Sequence, residues 1–570
     1  MLVKQLLVLA LATMGSAASG VAGPLSEADG RQGMVVTAQH EASTVGLRIL
    51  AAGGNAVDAA VAVGYALAVV DPCCGNIGGG GFMLIHRGGD HDGSARDIVI
   101  DFRETAPALA NPGMFLDAGG EVERDASRYG YRAAGVPGTV MGLDEALTRY
   151  GRLDRKAVMA PAIGLAREGF VLGAADAAIL AARADRLAAD PAARAIFLRP
   201  DDVPWGEGDR LVQRDLAATL ALIAQQGPQA FYDGPIAAAV AAAATAQGGV
   251  LRAEDFASYR APEAAPVRCR YRGHTVVSAP LPSAGGTILC ELLHVLSGWD
   301  LAASGAAAPQ TLHLMAEAMR HAFIDRNSAL GDPDFVPDVS PALLSSEHAT
   351  AIRAAIAAKE ATPSSAVGPG IPPHERGETT HYSVVDGEGN AVSVTYTLNG
   401  FFGSAVVAPG TGFLLNNEMD DFAAKPGAAN LFGLVQGKAN AIAPGKRPLS
   451  SMAPTFVERD DGRPVFVLGS PGGPRIITVV LETIVNLLDF GRSPRQAVAA
   501  ARFHHQWLPD TLFLEQGEFP AATRAALAAR GYRLKEQKPW GAVELIAIAP
   551  DGELHGVNDP RRPAGAAAGY

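Results

Sequence analysis

The alternation of apolar and polar positions is clearest over residues 379–399. There, two runs rich in β-branched and aromatic residues flank a turn of Gly, Asp and Asn. Thr379-Thr380-His381-Tyr382-Ser383-Val384-Val385 leads into Asp386-Gly387-Glu388-Gly389-Asn390, and Ala391-Val392-Ser393-Val394-Thr395-Tyr396-Thr397-Leu398-Asn399 leads out. This predicts a β-hairpin with a five-residue loop. A symmetric loop sets Val385 opposite Ala391, His381 opposite Thr395 and Thr379 opposite Thr397. A slip of one residue would turn every side chain over.

Other elements follow the same logic. Met34-Val35-Val36-Thr37 reads as a short strand, residues 43–50 and 56–70 as helices, and Phe82-Met83-Leu84-Ile85 as a strand entered from four glycines, 78–81. A nucleotide-binding loop needs strand, glycines, then helix, and here the order is reversed. Backbone crowding at a buried site is the expected reason for the glycines. Ile98-Val99-Ile100-Asp101-Phe102 is a strand with Arg103 at its tip. Residues 139–360 carry Ala and Leu at helical spacing, most clearly at 179–189, 236–246 and 312–327. They read as scaffold, with His313, His321 and Asp325 as solvated or capped polar positions. Leu414-Leu415 predicts a further apolar strand running into Asn416-Asn417-Glu418-Met419-Asp420-Asp421.

Immediately before the hairpin, residues 362–378 are rich in Pro, Gly and Ser and favour neither helix nor central strand. A mobile linker that ends abruptly at a rigid strand suggests a cut between Glu378 and Thr379. The cut would free the α-amino group of Thr379. A threonine hydroxyl is a weak nucleophile, and an adjacent amine of pKa about 7.7–8.0 is a suitable general base.

The pattern Thr-Thr-His-Tyr-Ser-Val, Gly389-Asn390, Thr395-Tyr396-Thr397-Leu398-Asn399 and Phe402-Gly403 resembles the signature of the γ-glutamyltranspeptidase family. Members are N-terminal-nucleophile hydrolases that cut themselves before this threonine. Similar blocks run from Val35 to Gly569-Tyr570. The resemblance implies a four-layer αββα sandwich, self-cleaved into a large subunit, 23–378, and a small catalytic subunit, 379–570, that stay together as a heterodimer. It implies γ-glutamyl transfer or hydrolysis through a threonyl ester. Glutathione and glutamine are the implied donors; water, amino acids or peptides are the acceptors, and no cofactor or metal is needed. A glutaryl-cephalosporin acylase of the same family is the alternative.

Residue by residue, the resemblance makes Thr379 the nucleophile and Thr397 its neighbour. It gives Arg103, Ser450 and Ser451 to the substrate carboxylate, Asn399, Glu418 and Asp421 to its ammonium group, and Gly472 and Gly473 to the oxyanion. The chemistry agrees with these types: an arginine fork matches a carboxylate, and glycine N–H groups suit a developing oxyanion. Residues 423–440 form a candidate lid, where Phe432 stands in place of the tyrosine common in bacterial members. The paired His504-His505 reads as structural.

Composition narrows the setting. The 570 residues are 48% hydrophobic and 19% charged, with formal net charge −12, which describes a globular protein with no electrostatic footprint for nucleic acid. Lys4, the apolar run 6–15 and the small residues up to Ala22 predict a signal peptide, 1–22, and hence an exported protein, periplasmic or secreted. No later run is long and apolar enough to span a membrane. Export permits disulfides among Cys73, Cys74, Cys269 and Cys290, whose spacing fits no zinc site. Cys73-Cys74 could close a vicinal ring or stay reduced as small buried groups; the reduced form is expected, since relatives use other residues there.

Overall fold

The computed structural model describes residues 26–89, 96–123, 125–201, 203–366 and 379–570. The predicted signal peptide and most of the predicted linker lie outside them.

Two seven-stranded sheets form the centre. The first runs in the order Ala566–Gly569, Gly33–Thr37, Thr380–Asp386, Ala391–Thr397, Gly80–His86, Asp97–Asp101 and Glu263–Ala264. The second runs Ser26–Gly30, Leu554–Asn558, Glu544–Ile548, Pro464–Leu468, Thr455–Glu458, His274–Ser278 and Val267–Tyr271. Both sheets mix strands from before and after Thr379. The two predicted subunits are therefore interleaved and not separate folding domains.

Strand alternation produces the layers. Val35, Met83 and Ile85 point into one core with the helix Ala56–Val70; Met34, Val36, Phe82 and Leu84 point into another, shared with the second sheet and the helices Ala284–Leu296 and Arg475–Leu488. Helices thus cover the outer face of each sheet, and the result is the αββα sandwich.

The hairpin lies at the middle of the first sheet, with both arms wholly buried. Its register is the symmetric one: Val385 opposes Ala391 and His381 opposes Thr395. The polar positions of its inner face are satisfied by the facing sheet and by each other. Ser383 Oγ donates to Glu544 O at 2.8 Å, Ser393 Oγ donates to Leu468 O at 3.1 Å, and His381 Nδ1 lies 2.9 Å from Thr395 Oγ1. Burial pushes the His381 imidazole down to about 3, so it stays neutral and structural.

Several expectations need correction. Leu414 makes a single bridge to Val407 and no strand, because the chain there turns into the 3₁₀ segment Glu418–Asp421. Part of the linker is ordered: Ser364–Ala366 forms a 3₁₀ turn, with Ser364 buried and its Oγ donating to Trp507 O at 2.7 Å. His313 is not solvated but fully buried between the Tyr532 hydroxyl (2.8 Å) and Ala357 O (2.7 Å). Cys73 is bonded to Cys74 and Cys269 to Cys290, so the expected reduced pair is a vicinal disulfide. His504 and His505 are buried as expected, with His504 held between Thr478 Oγ1 and Gln506 Oε1.

Candidate active site

The hairpin's open end carries the site. Its last backbone pair is Thr380 with Tyr396, and one step further Thr379 and Thr397 line the same cavity. Both threonines are 3% exposed. Thr397 Oγ1 accepts the Asn399 N–H at 2.8 Å, which fixes the hydroxyl's position on the strand end.

The glycine run explains how the neighbouring strand can come so close. Gly80 is the register partner of Thr397. A Cβ on Gly79 would stand 2.0 Å from Thr397 O, and one on Gly80 would stand 2.4 Å from Phe102 O and 2.7 Å from Glu104 Oε2. Any side chain there would push the strand that ends at Thr397 away from the residues around Arg103.

Arg103, Asn399, Glu418, Asp421, Ser450, Ser451 and Gly473 all line the cavity with the threonines. Of the residues expected at the site, only Gly472 is not in its wall. Arg103 lies just past its strand, fully buried, with Nε donating to Pro448 O at 3.0 Å, Nη1 bonded to Glu418 and Nη2 to Asp421 at 2.6 Å. The groups expected to meet opposite ends of a substrate are therefore paired with each other. Burial works against the charge on Arg103, but Glu418 and Asp421 override it and raise its pKa. Burial likewise raises Glu418, against the pull of Arg103. Glu104, beside them, is pushed up to about 8 by burial, and both its carboxyl oxygens lack a hydrogen-bond partner, although Oε2 lies 3.5 Å from Arg103 Nη1.

Asn399 has φ +77°, a left-handed conformation that asparagine tolerates better than most residues. Its Nδ2 donates to Asn417 O at 3.0 Å. Gly472 (φ +133°) and Gly473 (φ +58°) immediately precede the helix Arg475–Leu488, whose N-terminal dipole favours negative charge. A Cβ on Gly473 would meet the Phe432 ring at 2.5 Å, so the candidate lid packs directly on this turn. Gln506 Nε2 donates to Phe432 O at 3.1 Å, and Gln436 Nε2 and Asn440 Nδ2 donate to Asp421 O at 2.8 and 2.7 Å, which ties the lid to the acidic segment.

One site residue was missed from the sequence. Arg326, on the helix Pro309–Ala329, is 1% exposed and reaches the cavity beside Ser450 and Ser451. Its helix reads as scaffold, and the only available signal was a cation at a position that burial would otherwise make apolar.

The family described as Gamma-glutamyltranspeptidase matches residues 42–569. The chain is 49% identical to the glutathione hydrolase proenzyme of Pseudomonas sp. (strain A14), covering 94% of each chain. It is 46% identical to the glutathione hydrolase proenzyme of Escherichia coli (strain K12), covering 95% of this chain and 92% of that one. Among solved structures, a cephalosporin acylase from Bacillus halodurans superposes with a TM-score of 0.85 at 29% identity, over 98% of this chain and 99% of that one. The acylase likeness reports a shared fold, whereas the family match spans nearly the whole length, including the threonine hairpin and the cavity wall. On that extent of agreement the chain belongs to the γ-glutamyltranspeptidase family.

Proposed function

We propose that the protein is a γ-glutamyltransferase and glutathione hydrolase that activates itself by cutting before Thr379. The single observation that carries this reading is one cavity lined by two threonines together with both a cationic and an anionic set of side chains. A γ-glutamyl head carries an α-carboxylate and an α-ammonium, and such a zwitterion complements that wall.

In the maturation step, Thr379 Oγ attacks the carbonyl of Glu378, the peptide C–N bond breaks, and water hydrolyses the ester. This releases the α-amine of Thr379 and leaves residues 23–378 and 379–570 as an interleaved heterodimer. In turnover, that amine takes the Oγ proton as Oγ attacks the γ-carbonyl, and returns it to the departing amine. The N–H groups of Gly472 and Gly473 stabilise the oxyanion, a contribution of about 3–4 kcal/mol per well-placed donor. Water, an amino acid or a peptide then takes the γ-glutamyl group from Thr397-flanked Thr379. Glutathione and glutamine are the donors proposed, and the protein acts after export, in the periplasm or outside the cell. Among the described residues no helix is long and apolar enough to cross a membrane.

The acylase fold likeness keeps a second reading in view, a glutaryl amidase. The two donors differ only by the α-ammonium, so comparing γ-glutamyl- with glutaryl-p-nitroanilide separates them. Each charge-assisted bond that the α-ammonium makes to Asn399, Glu418 or Asp421 contributes about 1.5–3 kcal/mol, and kcat/KM is expected to favour the γ-glutamyl donor by about a hundredfold or more. Equal kcat/KM values would transfer the assignment to the acylase.

A further inference from the structure

Arg326 is the one strongly buried cation of the cavity wall whose partners are all neutral. Its Nε and Nη2 donate to Ser451 Oγ at 3.1 and 2.8 Å, Nη2 reaches Ser450 O at 3.4 Å, and Nη1 reaches Asn327 Oδ1 at 3.0 Å and Gln436 Oε1 at 3.5 Å. Among the described residues it forms no ion pair, in contrast to Arg103, which is shared by Glu418, Asp421 and, at 3.5 Å, Glu104. A buried guanidinium with only neutral acceptors is costly unless an anion joins it. Consistent with this, burial pulls its pKa down to about 10, with only distant help from Asp421.

The hydrogen bonds also fix the serines. A hydroxyl has one donor and two acceptor sites. With two Arg326 N–H groups converging on Ser451 Oγ, that hydroxyl's own proton must be donated elsewhere. Ser450 Oγ likewise accepts, from Met452 N at 3.0 Å, and keeps its proton to donate. Two O–H donors beside an unpaired guanidinium describe a carboxylate seat in the cavity wall.

We infer that Arg326, through Ser451 and by its own charge, is the positioning and specificity residue that makes the enzyme require an α-carboxylate on its donor. This rests on the γ-glutamyl reading above. Arg103, already engaged by two carboxylates, holds the acidic pole in place and presents its remaining N–H groups to the same substrate.

The test compares γ-glutamyl-p-nitroanilide with 4-aminobutyryl-p-nitroanilide, which lacks only the α-carboxylate, in the processed wild type and in Arg326→Gln and Arg326→Lys. The wild type is expected to favour the γ-glutamyl donor by about a hundredfold or more, the scale of a lost charged contact. In Arg326→Gln, KM for that donor should rise about 10- to 100-fold with a smaller change in kcat, and the fall for the 4-aminobutyryl donor should be far less, so the preference collapses. Arg326→Lys keeps the charge but not the fork, and should retain part of the preference. An Arg326→Gln enzyme that keeps the wild-type ratio, or loses both donors equally, overturns the inference. Should the glutamine variant fail to process, an unchanged ratio in Arg326→Lys overturns it and a reduced one upholds it. A wild type indifferent to the two donors would instead refute the γ-glutamyl reading itself.

Discussion

Asp421→Asn is the most informative change at the acidic pole. It keeps the side-chain volume and removes one charge, and the backbone should stay in place because Asp421 O is held by Gln436 and Asn440 at 2.8 and 2.7 Å. The lost contacts are the 2.6 Å bond from Arg103 Nη2 and the contact proposed for the substrate ammonium. A hydrogen bond to a charged group contributes about 1.5–3 kcal/mol, which corresponds to a fall of roughly 10- to 150-fold in kcat/KM for γ-glutamyl-p-nitroanilide. Glu418 remains, so activity should persist. With the glutaryl donor there is no ammonium to lose, and the fall should stay within about threefold. The assay is release of p-nitroaniline under matched conditions for both donors. Equal falls on the two donors would show that Asp421 acts on the architecture of the site and not on the substrate, and would refute the assignment of its pole.

Purified protein is expected to run as two chains on a denaturing gel, with the smaller beginning at Thr379, while Thr379→Ala stays uncut; a single-chain wild type that turns over substrate would contradict the amine-as-base mechanism. Thr397→Ala should slow both processing and turnover, by about fivefold for a lost bond of about 1 kcal/mol, and unchanged rates would mean that its hydroxyl does not orient Thr379. Asp510 accepts from Arg320 at 2.5 Å and from Ser364 N at 2.8 Å; burial opposes its charge, but the nearby His505 ring, at 3.5 Å, and the bonds from Arg320 and Ser364 depress its pKa. A depressed carboxyl pKa adds stability above its unfolded value of about 3.9, lost as pH falls below that value toward the folded one. Thermal melts should therefore show Asp510→Asn destabilised at pH 6 but nearing the wild type as the pH drops below 4; a constant difference would count against the bond.

Local pattern was enough for the elements whose signal is short-range. The hairpin, its register and the helix at Ala56–Val70 follow from period-two and period-3.6 spacing and from turn chemistry, which neighbouring residues carry by themselves. The proposed nucleophile, Thr379, could be picked out for the same reason, since its hydroxyl and its proposed base belong to one residue at the hairpin's end. Most of the cavity wall was legible only through resemblance to a family, because Arg103, Glu418 and Ser450 lie far apart in the chain and each alone looks like a surface turn. What tertiary packing alone decided was partnership. It closed Cys73 onto Cys74, buried His313, joined Arg103 to the acids it was expected to oppose, and delivered Arg326 from a scaffold helix to Ser451. Periodicity states which face of an element is buried; it does not state what lies across from that face, and the energy of a buried charge depends on its partner.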